Sequence, residues 1–346
     1  MTKQLSVAVV GATGAVGSKM MEHLIKRKFP IQQIKFLASA RSAGKPIEFN
    51  GQIYTIEEAK PEAFEGVDVA LFSAGGSVSA ALAPEAAKRG AVVIDNTSHF
   101  RMDPEVPLVV PEVNRHALKD IPKGIIANPN CSTIQMVAAL QPIREKFGLT
   151  KVIVSTYQAV SGAGIKAINE LKDQSAEWEA GKDVEANILP CGSDERHYPI
   201  ARNVIPQIDK FTDNGFTYEE MKMINETKKI MEMPELSVAA TCVRVPVVSG
   251  HSESVYIELE KDATVQEIFD VLKDAPGIVL QDDITTQTYP MPIYAEGEDP
   301  TFVGRIRQDL DNKKGFHMWI VADNLLKGAA LNSIQIAEAM LEDNLL

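Results

Sequence analysis

Cys131 is the residue whose type and position are best suited to covalent chemistry. It lies in segment 128–133, Asn-Pro-Asn-Cys-Ser-Thr, directly before an apolar run over 134–147 that has helical spacing. A helix N-terminus lowers the pKa of a thiol, and the thiolate is the nucleophilic form. A lone cysteine is more often a small buried residue, and we keep that interpretation for Cys191 and Cys242. The polar neighbours of Cys131 instead favour a nucleophile.

A glycine-rich segment over 11–17, Gly-Ala-Thr-Gly-Ala-Val-Gly, is the second candidate site, since it follows a strand-like run and opens a helical one. There Gly11 permits a tight turn, Gly14 lets backbone N–H groups approach a pyrophosphate, and Gly17 allows a helix to pack closely on a strand. The helix N-terminus also favours phosphates. The spacing is a variant of the usual dinucleotide pattern, and the alternative is an ordinary tight turn. The candidate cofactor contacts of this segment are Gly11, Thr13, Gly14, Ala15 and Val16.

The end of the second predicted strand discriminates between the two dinucleotides. NAD sites usually place an acidic residue there to bind the ribose 2′-hydroxyl. Here segment 38–42 is Ala-Ser-Ala-Arg-Ser, without an acid. Arg41, with the hydroxyls of Ser39 and Ser42, suits a 2′-phosphate through charge-assisted hydrogen bonds, so the segment predicts NADP. The alternative is that Arg41 belongs to a solvated basic loop.

The elements that position these residues alternate between strand and helix over the first half of the chain. Apolar runs predict strands over 5–10, 34–38, 67–72, 91–95 and 124–127. Helical spacing predicts helices over 19–28 and 78–89. This alternation predicts an α/β fold with a parallel, doubly wound sheet.

From about Lys151 the pattern changes to β-branched and alternating runs, which favour a second sheet with one open face. Strands are predicted over 151–157, 242–248, 254–260 and 316–322. Helices are predicted over 217–231, 264–273 and 327–342. Segment 276–303 is rich in turn residues, and segment 173–206 is predicted to be irregular, at a surface or a subunit contact.

Composition excludes several classes of protein. At roughly 150 residues per domain, the 346 residues predict two domains, and the hydrophobic share of 45% is typical of a globular chain. The net charge of −12 argues against nucleic acid or an anionic membrane as a partner, but not against a small anionic substrate. Three scattered cysteines, no apolar run of membrane-spanning length and no signal-peptide pattern favour a cytoplasmic enzyme. No histidine or cysteine cluster has metal-ligand spacing, so we predict no metal.

Over essentially its whole length the chain resembles the aspartate-semialdehyde dehydrogenases. The resemblance rests on segments 11–17 and 128–133, on Gln-Ala-Val-Ser-Gly at 158–162 and on Arg-Val-Pro-Val-Val-Ser-Gly-His at 244–251. The cysteine motif together with the spacing from Arg244 to His251 is highly specific. The resemblance implies an NADP-dependent oxidoreductase that interconverts L-aspartyl 4-phosphate and L-aspartate 4-semialdehyde, releasing or consuming inorganic phosphate. Such an enzyme serves the biosynthesis of lysine through diaminopimelate, and of threonine, methionine and isoleucine.

The fold implied by the resemblance is a Rossmann-like sheet domain and an α+β domain with a mixed sheet. We expect a dinucleotide-binding domain over 1–130, completed by a C-terminal helix over 325–346. Residues 131–324 are expected to form the catalytic and dimerisation domain. The family suggests a homodimer or a homotetramer.

The resemblance also implies roles for single residues. Cys131 forms the acyl-enzyme thioester, His251 is the general acid/base, and Gln158 orients the reacting acyl group. Arg244 binds the substrate α-carboxylate, and Glu219 meets the substrate amino group. The phosphate contacts are Arg101 and Lys222, Asn130 is a further substrate contact, and the cofactor contacts near the nicotinamide are Ser161, Gly162 and Asn324.

Simpler interpretations remain open for several of these residues. Glu219 and Lys222 are spaced as an ordinary i,i+3 ion pair of an exposed helix. His251 is open to interpretation as a structural histidine, and Arg244 as a charge at a strand edge.

Three other functions are also considered. N-acetyl-glutamyl-phosphate reductases share the chemistry but typically have Asn-Pro-Gly-Cys-Tyr at the nucleophile, where this chain has Asn130 and Ser132 beside Cys131. A short-chain-type reductase would use the Tyr-x-x-x-Lys pattern of segment 218–222, but no serine lies between Ser193 and that tyrosine. A dinucleotide-binding redox regulator would not need the cysteine, the histidine and the arginine together.

Overall fold

The computed structural model describes residues 3–346. Residues 1 and 2, where we expect the dinucleotide-binding domain to begin and no signal peptide, lie outside the described residues. The chain divides into two compact units. The first extends to Asn130 and is completed by Ala329–Leu346, and the second comprises Cys131–Gly328. Within residues 3–346, no helix is both long and apolar enough to traverse a lipid bilayer.

The first unit is built on a six-stranded parallel sheet, as the strand and helix alternation predicts. Its strands are β1 (Leu5–Val10), β2 (Ile31–Ala38), β5 (Glu57–Glu58), β6 (Val69–Phe72), β7 (Val92–Asp95) and β8 (Ile125–Ala127). They lie in the order β5-β2-β1-β6-β7-β8. A separate hairpin comprises β3 (Pro46–Phe49) and β4 (Gln52–Thr55).

The helices of the first unit form its hydrophobic core together with the sheet. They are α1 (Ala15–Lys26), α2 (Gly76–Lys88), α3 (Pro111–Asn114) and α9 (Leu331–Glu342). All six residues of β1 are buried, as expected of a central parallel strand, and Val7 and Val9 share a core cluster with Leu24 of α1 and Ile334 of α9. The C-terminal helix therefore completes the core of the first unit.

The second unit is built on a mixed sheet. Its strands are β9 (Lys151–Gln158), β10 (Ser237–Arg244), β11 (His251–Glu258), β12 (Ile278–Leu280), β13 (Thr301–Gln308) and β14 (Gly315–Ala322). They lie in the order β10-β9-β11-β14-β13-β12. The pairs β9–β10 and β12–β13 are parallel, and the other three pairs are antiparallel.

Several helices of the second unit pack against this sheet. The helices of this unit are α4 (Cys131–Phe147), α5 (Ile165–Glu179), α6 (Tyr218–Ile230), α7 (Val265–Leu272) and α8 (Pro292–Ala295), and a π-helical turn spans Leu326–Ala330. Contacts to the sheet are made by α4, α6, α7 and α8. Along β9 the side chains alternate: Val152 and Val154 are buried, whereas Ile153 and Tyr157 on the other face are 45% and 37% exposed.

Several predicted elements need correction. Helix α5 continues to Glu179, where the sequence predicted an irregular chain from residue 173. Its polar inward residue Gln174 hides the helical pattern, because its amide bonds to Glu185 and to the N–H groups of Ile200 and Ala201. The strand predicted over 242–248 lies instead over 237–244.

Other elements differ at their ends or were missed. The first helix begins at Ala15 rather than at residue 19, and strand β13 lies mostly beyond the segment predicted to be rich in turns. The sequence analysis missed hairpin β3–β4, although it has a clear signal. Asn50 and Gly51 form its two-residue turn with φ values of +51° and +75°, and Asn-Gly between alternating apolar residues is typical of a hairpin. The predicted parallel and mixed sheets are both confirmed.

Candidate active site

Three of the predicted residues converge at one edge of the mixed sheet. Because β9 and β10 are parallel, their carboxyl ends meet, and Arg244 lies opposite Gln158. The antiparallel β11 begins at that edge with His251, next to Ser252, which pairs with Tyr157. Three residues that are far apart in sequence thus end adjacent strands on one side of the sheet.

His251 is held by the main chain. The Ala159 N–H donates to its Nδ1 at 3.1 Å, so the neutral ring carries its proton on Nε2. That Nε2 is buried and has no hydrogen-bond partner within residues 3–346. Burial, reinforced by the Arg244 guanidinium and opposed by Glu219, lowers the pKa of His251 from 6.5 to about 3. The ring is therefore a neutral N–H donor directed into the site.

Arg244 shares this environment. Its Nη1 donates to the Ala159 carbonyl at 2.8 Å, and its buried Nε has no partner in the described chain. Burial lowers the pKa of Arg244, while the negative charges of Glu219 and the cysteine at 131 act in the opposite direction. An arginine remains charged in proteins, so it presents a fixed positive fork.

Gln158 and Glu219 form a second layer of polar contacts. The Gln158 Nε2 donates to Glu219 Oε1 at 3.1 Å and to Thr156 Oγ1 at 3.3 Å. Lys222 Nζ bonds to Glu219 at 3.2 Å and to Asp209 at 3.1 Å. The i,i+3 pair predicted as an alternative is therefore present, but its carboxylate is buried rather than on an exposed helix face.

Helix α6 begins with a capping box that fixes this layer. Thr217 Oγ1 accepts from the Glu220 N–H, and the Glu220 carboxylate accepts from the Thr217 N–H. The other oxygen of Glu220 accepts from the N–H of Cys242 on β10 at 3.1 Å. The start of α6, with Glu219, is thereby tied to the strand that ends in Arg244.

Cys131 is the first residue of α4 and is half-buried, as the sequence predicts for a residue at a helix N-terminus. Gly328 lies beside it: a Cβ on Gly328 would come within 2.7 Å of the Cys131 Cβ. A glycine is therefore required at position 328 for the thiol-bearing residue to fit. The buried Cys242 has a raised pKa, mainly because of burial, so its thiol is protonated.

Ser161, Gly162 and Asn324 line the same region of the second unit. Asn324 Nδ2 donates to Ser161 Oγ at 2.9 Å, and its Oδ1 accepts from the Gly250 N–H at 2.9 Å. A Cβ on Gly162 would lie 3.0 Å from Arg244 Nη1 and 3.2 Å from His251 Nε2. The glycine leaves open the space in front of both nitrogen atoms.

The first unit carries the glycine turn. Gly11 has a φ of +85°, and a Cβ on Gly17 would come within 2.3 Å of the Gly11 carbonyl oxygen. Gly14 caps α1, whose first residues are Ala15 and Val16. A cleft of ≈ 530 Å³ opens here, lined among others by Gly11, Thr13, Gly14, Ser39, Ser73 and Val78. Small side chains and open N–H groups at a helix start fit a dinucleotide pyrophosphate.

Arg41 and Ser42 follow β2 in an exposed turn, in which the Ser42 N–H donates to the Ser39 carbonyl at 2.8 Å. Arg101, also in the first unit, is buried, and its guanidinium donates to the main-chain oxygens of Asn128 and Asn96 at 3.0 and 2.8 Å. Asn130 is buried directly before the cysteine. Within residues 3–346, no group of three or more His, Cys, Asp or Glu side chains is arranged to hold a metal ion.

The sequence analysis did not identify Ala159 and Asp209, two residues that hold the predicted site residues in place. Ala159 binds both His251 and Arg244 through its main chain, so its side chain gives no signal. Asp209 lies 13 residues before Lys222 in an irregular loop, and only the fold brings the two together. The motif at 158–162 marks the position of Ala159 but not its contacts.

Comparison with known proteins defines the class. Residues 6–121 match the NAD binding domain of semialdehyde dehydrogenases, and residues 140–327 match their dimerisation domain. An aspartate-semialdehyde dehydrogenase from Bacillus subtilis is 63% identical over 100% of both chains.

Solved structures agree. Aspartate semialdehyde dehydrogenase II from Vibrio cholerae, complexed with ASA, superposes with a TM-score of 0.93 at 46% identity over 99% of both chains. The enzyme from Candida albicans with NADP has a TM-score of 0.78 at 26% identity, over 99% of this chain and 100% of the other.

The fold, the site and these relatives define an oxidoreductase of the semialdehyde dehydrogenase class, with an NAD(P)-binding domain. Within that class, the chain belongs to the aspartate-semialdehyde dehydrogenase family. The predicted family, enzyme class and role in amino-acid biosynthesis are confirmed, and N-acetyl-glutamyl-phosphate reduction is not favoured. The match to a dimerisation domain also indicates that the chain forms an oligomer.

Proposed function

We propose that this chain interconverts L-aspartyl 4-phosphate and L-aspartate 4-semialdehyde through a thioester on Cys131, with NADP as the cofactor. The observation that carries the proposal is the convergence of Arg244, Gln158 and His251. Two buried N–H groups there, Arg244 Nε and His251 Nε2, have no hydrogen-bond partner within residues 3–346. A buried donor left unsatisfied costs about 1–3 kcal/mol. A substrate that offers a carboxylate and a developing oxyanion satisfies both donors.

Covalent catalysis begins at the thiolate of Cys131. Its sulfur forms a bond to the acyl carbon of the substrate, and the bond from that carbon to the phosphate oxygen breaks, so that phosphate leaves with the electron pair. The N–H groups at the start of α4 are suited to stabilise the tetrahedral oxyanion, since removal of such a donor typically costs about 3–4 kcal/mol. When bound, NADPH supplies the hydride that reduces the thioester carbon. The resulting hemithioacetal oxyanion expels the Cys131 thiolate and releases the aldehyde.

His251 acts first as a donor. With Nδ1 accepting from Ala159, the neutral ring offers Nε2–H to the oxyanion of each tetrahedral species. In the oxidative direction the hemithioacetal hydroxyl must lose a proton, and the ring can accept it only after Nε2 has given up its own. The neutral ring is thus a hydrogen-bond donor to the oxyanion in the free enzyme. The proton transfers of the predicted acid/base role require the ring proton to move from Nε2 to Nδ1, where the Ala159 N–H now donates.

Charge complementarity sets the substrate class. The planar fork of Arg244 matches the α-carboxylate, and Glu219 meets the amino group. The ammonium of Lys222, which contacts Glu219 and Asp209, is the first proposed phosphate contact because its positive charge complements the phosphate dianion. Arg101, whose guanidinium plane is fixed by main-chain bonds, is the second proposed phosphate contact, with Asn130 as a further substrate contact.

NADP is proposed over NAD because of the residues after β2. Arg41 can form charge-assisted hydrogen bonds with a 2′-phosphate, and the hydroxyls of Ser39 and Ser42 lie in the same turn. The pyrophosphate is assigned to the turn formed by Gly11, Thr13, Gly14, Ala15 and Val16. The proposed contacts in the second unit are Ser161, Gly162 and Asn324. The first unit is accordingly proposed to bind the dinucleotide, as 1–130 with 325–346, and residues 131–324 to carry catalysis and dimerisation.

We also propose a homodimer, alone or paired into a tetramer, that uses the open face of the mixed sheet. Ile153 and Tyr157 expose apolar surface there, and large apolar patches favour association. A cytoplasmic location is proposed because the mechanism needs a reduced thiol at position 131, and the cytosol keeps thiols reduced.

The test is NADP reduction by aspartate semialdehyde, with and without phosphate, for the native chain and Cys131→Ala. We expect phosphate-dependent turnover by the native chain, and at least about a 10³-fold loss in the variant because it lacks the nucleophile. NADP affinity, measured by fluorescence titration, should survive the substitution. Turnover by the variant, or native turnover that does not need phosphate or arsenate, contradicts the thioester route.

A further inference from the structure

A second row of side chains lies directly behind the proposed catalytic row. In the register of the mixed sheet, Cys242 pairs with Thr156, and Thr156 pairs with Glu253. Each lies two residues along its strand from Arg244, Gln158 or His251 and therefore faces the same side of the sheet. The mechanism proposed above gives this row no function.

Glu253 is the unusual member of the row. Its side chain is fully buried, and neither carboxylate oxygen has a hydrogen-bond partner within residues 3–346. An isolated buried carboxylate is so costly that the group takes up a proton instead. Burial accordingly raises the pKa of Glu253 well above 4.5, partly opposed by the Gln135 amide that faces it.

The surroundings also disfavour a negative charge at Glu253. On α6, Glu219 and Glu220 act electrostatically on Cys242 in the same row, and Glu253 adds to their effect. A further carboxylate would repel both. A neutral acid has one O–H donor, which needs an acceptor in this dry region.

Gln135 supplies that acceptor. It lies one helical turn after Cys131 on α4, and its Nε2 donates to the main-chain oxygen of His251 at 3.2 Å. Its Oε1 is buried and has no partner in the described chain. The O–H of a neutral Glu253 thus lacks an acceptor, and Gln135 Oε1 lacks a donor.

We propose that Glu253 is a positioning residue that remains a neutral acid and donates its O–H to Gln135 Oε1. Gln135 in turn holds the His251 carbonyl, so the pair ties the start of α4 to the start of β11. The nucleophile is at one of these ends and the imidazole is at the other. This inference rests on the roles proposed for Cys131 and His251.

The first measurement is the infrared spectrum of the native protein at neutral pH. A protonated carboxylic acid has a carbonyl stretch distinct from that of a carboxylate, and we expect one such band to disappear in Glu253→Gln. The matched control is Glu258→Gln, on the same strand but beside Lys151, which should leave the band in place. The band should shift in Gln135→Leu, because the proposed acceptor is lost. A native spectrum without the band, or a band indifferent to Gln135→Leu, overturns the proposal.

Kinetics supply the second measurement. Glu253→Gln keeps an N–H donor of the same shape, so kcat should stay within about threefold of the native value. Glu253→Leu removes the donor, and we expect kcat to fall about tenfold while the KM for aspartate semialdehyde changes little, since the substrate ligands are untouched. Equal losses in both variants, or native kcat in Glu253→Leu, contradict a positioning role.

The two proposals fail separately. The infrared band reports the protonation of Glu253 and does not depend on turnover. If Cys131→Ala proves active, the thioester route is wrong, but the band of the native protein is still expected. If Glu253→Leu does not fold, the native spectrum and Glu253→Gln still decide whether the side chain is a neutral donor.

Discussion

In the first unit, the cleft beside Gly11 is lined by glycine, hydroxyl and small apolar residues, whereas the sheet edge of the second unit carries an arginine, an amide and an imidazole. The first surface offers main-chain N–H groups at a helix start. The second offers side chains whose orientation depends on three strands and two helices.

The difference has a physical cause. A pyrophosphate can be held by backbone groups, so the protein must mainly supply a tight turn without side chains. A Cβ on Gly17, for example, would come within 2.3 Å of the Gly11 carbonyl oxygen and prevent the close packing of the helix on that turn. A reacting acyl group needs donors of fixed direction, which only large polar side chains supply. Those side chains must then be buried and fixed, as the bonds from Ala159 to His251 and Arg244 do.

Of the substitutions that distinguish the site of the second unit from the cleft of the first unit, His251→Asn is expected to have the largest effect on kcat. Loss of the ring should lower kcat by about 10²–10⁴-fold, because no other side chain is proposed to serve as general acid/base. Single-turnover kinetics should show both half-reactions slowed. Alkylation of Cys131 by iodoacetamide should persist, and NADP affinity should be unchanged. A kcat within a fewfold of native would mean that the imidazole is only structural.

Arg244→Lys tests the geometry rather than the charge of the same edge. A lysine keeps the charge but loses the planar fork and the bond to the Ala159 carbonyl, so kcat/KM for aspartate semialdehyde should fall about 10²-fold. The control is Lys222→Arg, where a point charge is replaced by a fork and a smaller loss is expected. Comparable activity of Arg244→Lys and the native chain would exclude a bidentate role.

Arg41→Ala tests the first unit. One charge-assisted contact is worth about 1.5–3 kcal/mol, so NADP should bind at least about tenfold more weakly, with little change for NAD. Titration of both dinucleotides against the variant measures the ratio. Equal losses for the two would contradict the assignment of Arg41 to the 2′-phosphate. Turnover at saturating NADP should remain close to native.

The same contrast explains how far sequence alone could reach. The glycine turn and the parallel sheet follow from local patterns, because strand, turn and helix are contiguous there. The site of the second unit rests on pairings such as Arg244 with Gln158, 86 positions apart, which no local pattern specifies. Only the family resemblance brought those residues together in advance. Ala159 and Gln135 escaped prediction, since one acts through its main chain and the other is an ordinary position of an apolar helix.

The smallest expected effect is on the stability of the second unit in acid. This unit buries His251, whose pKa is lowered from 6.5 to about 3. Between these two values the unfolded chain binds a proton at this ring and the folded chain does not, so acidification favours unfolding. The slope is at most about 1.4 kcal/mol per pH unit, and the effect is absent above the ordinary histidine pKa. Denaturant unfolding at a series of pH values should therefore show a shallower acid slope for His251→Asn than for the native chain. Parallel slopes for the native chain and His251→Asn would mean that the ring is protonated in the fold, and the neutral donor proposed at Nε2 would then be wrong.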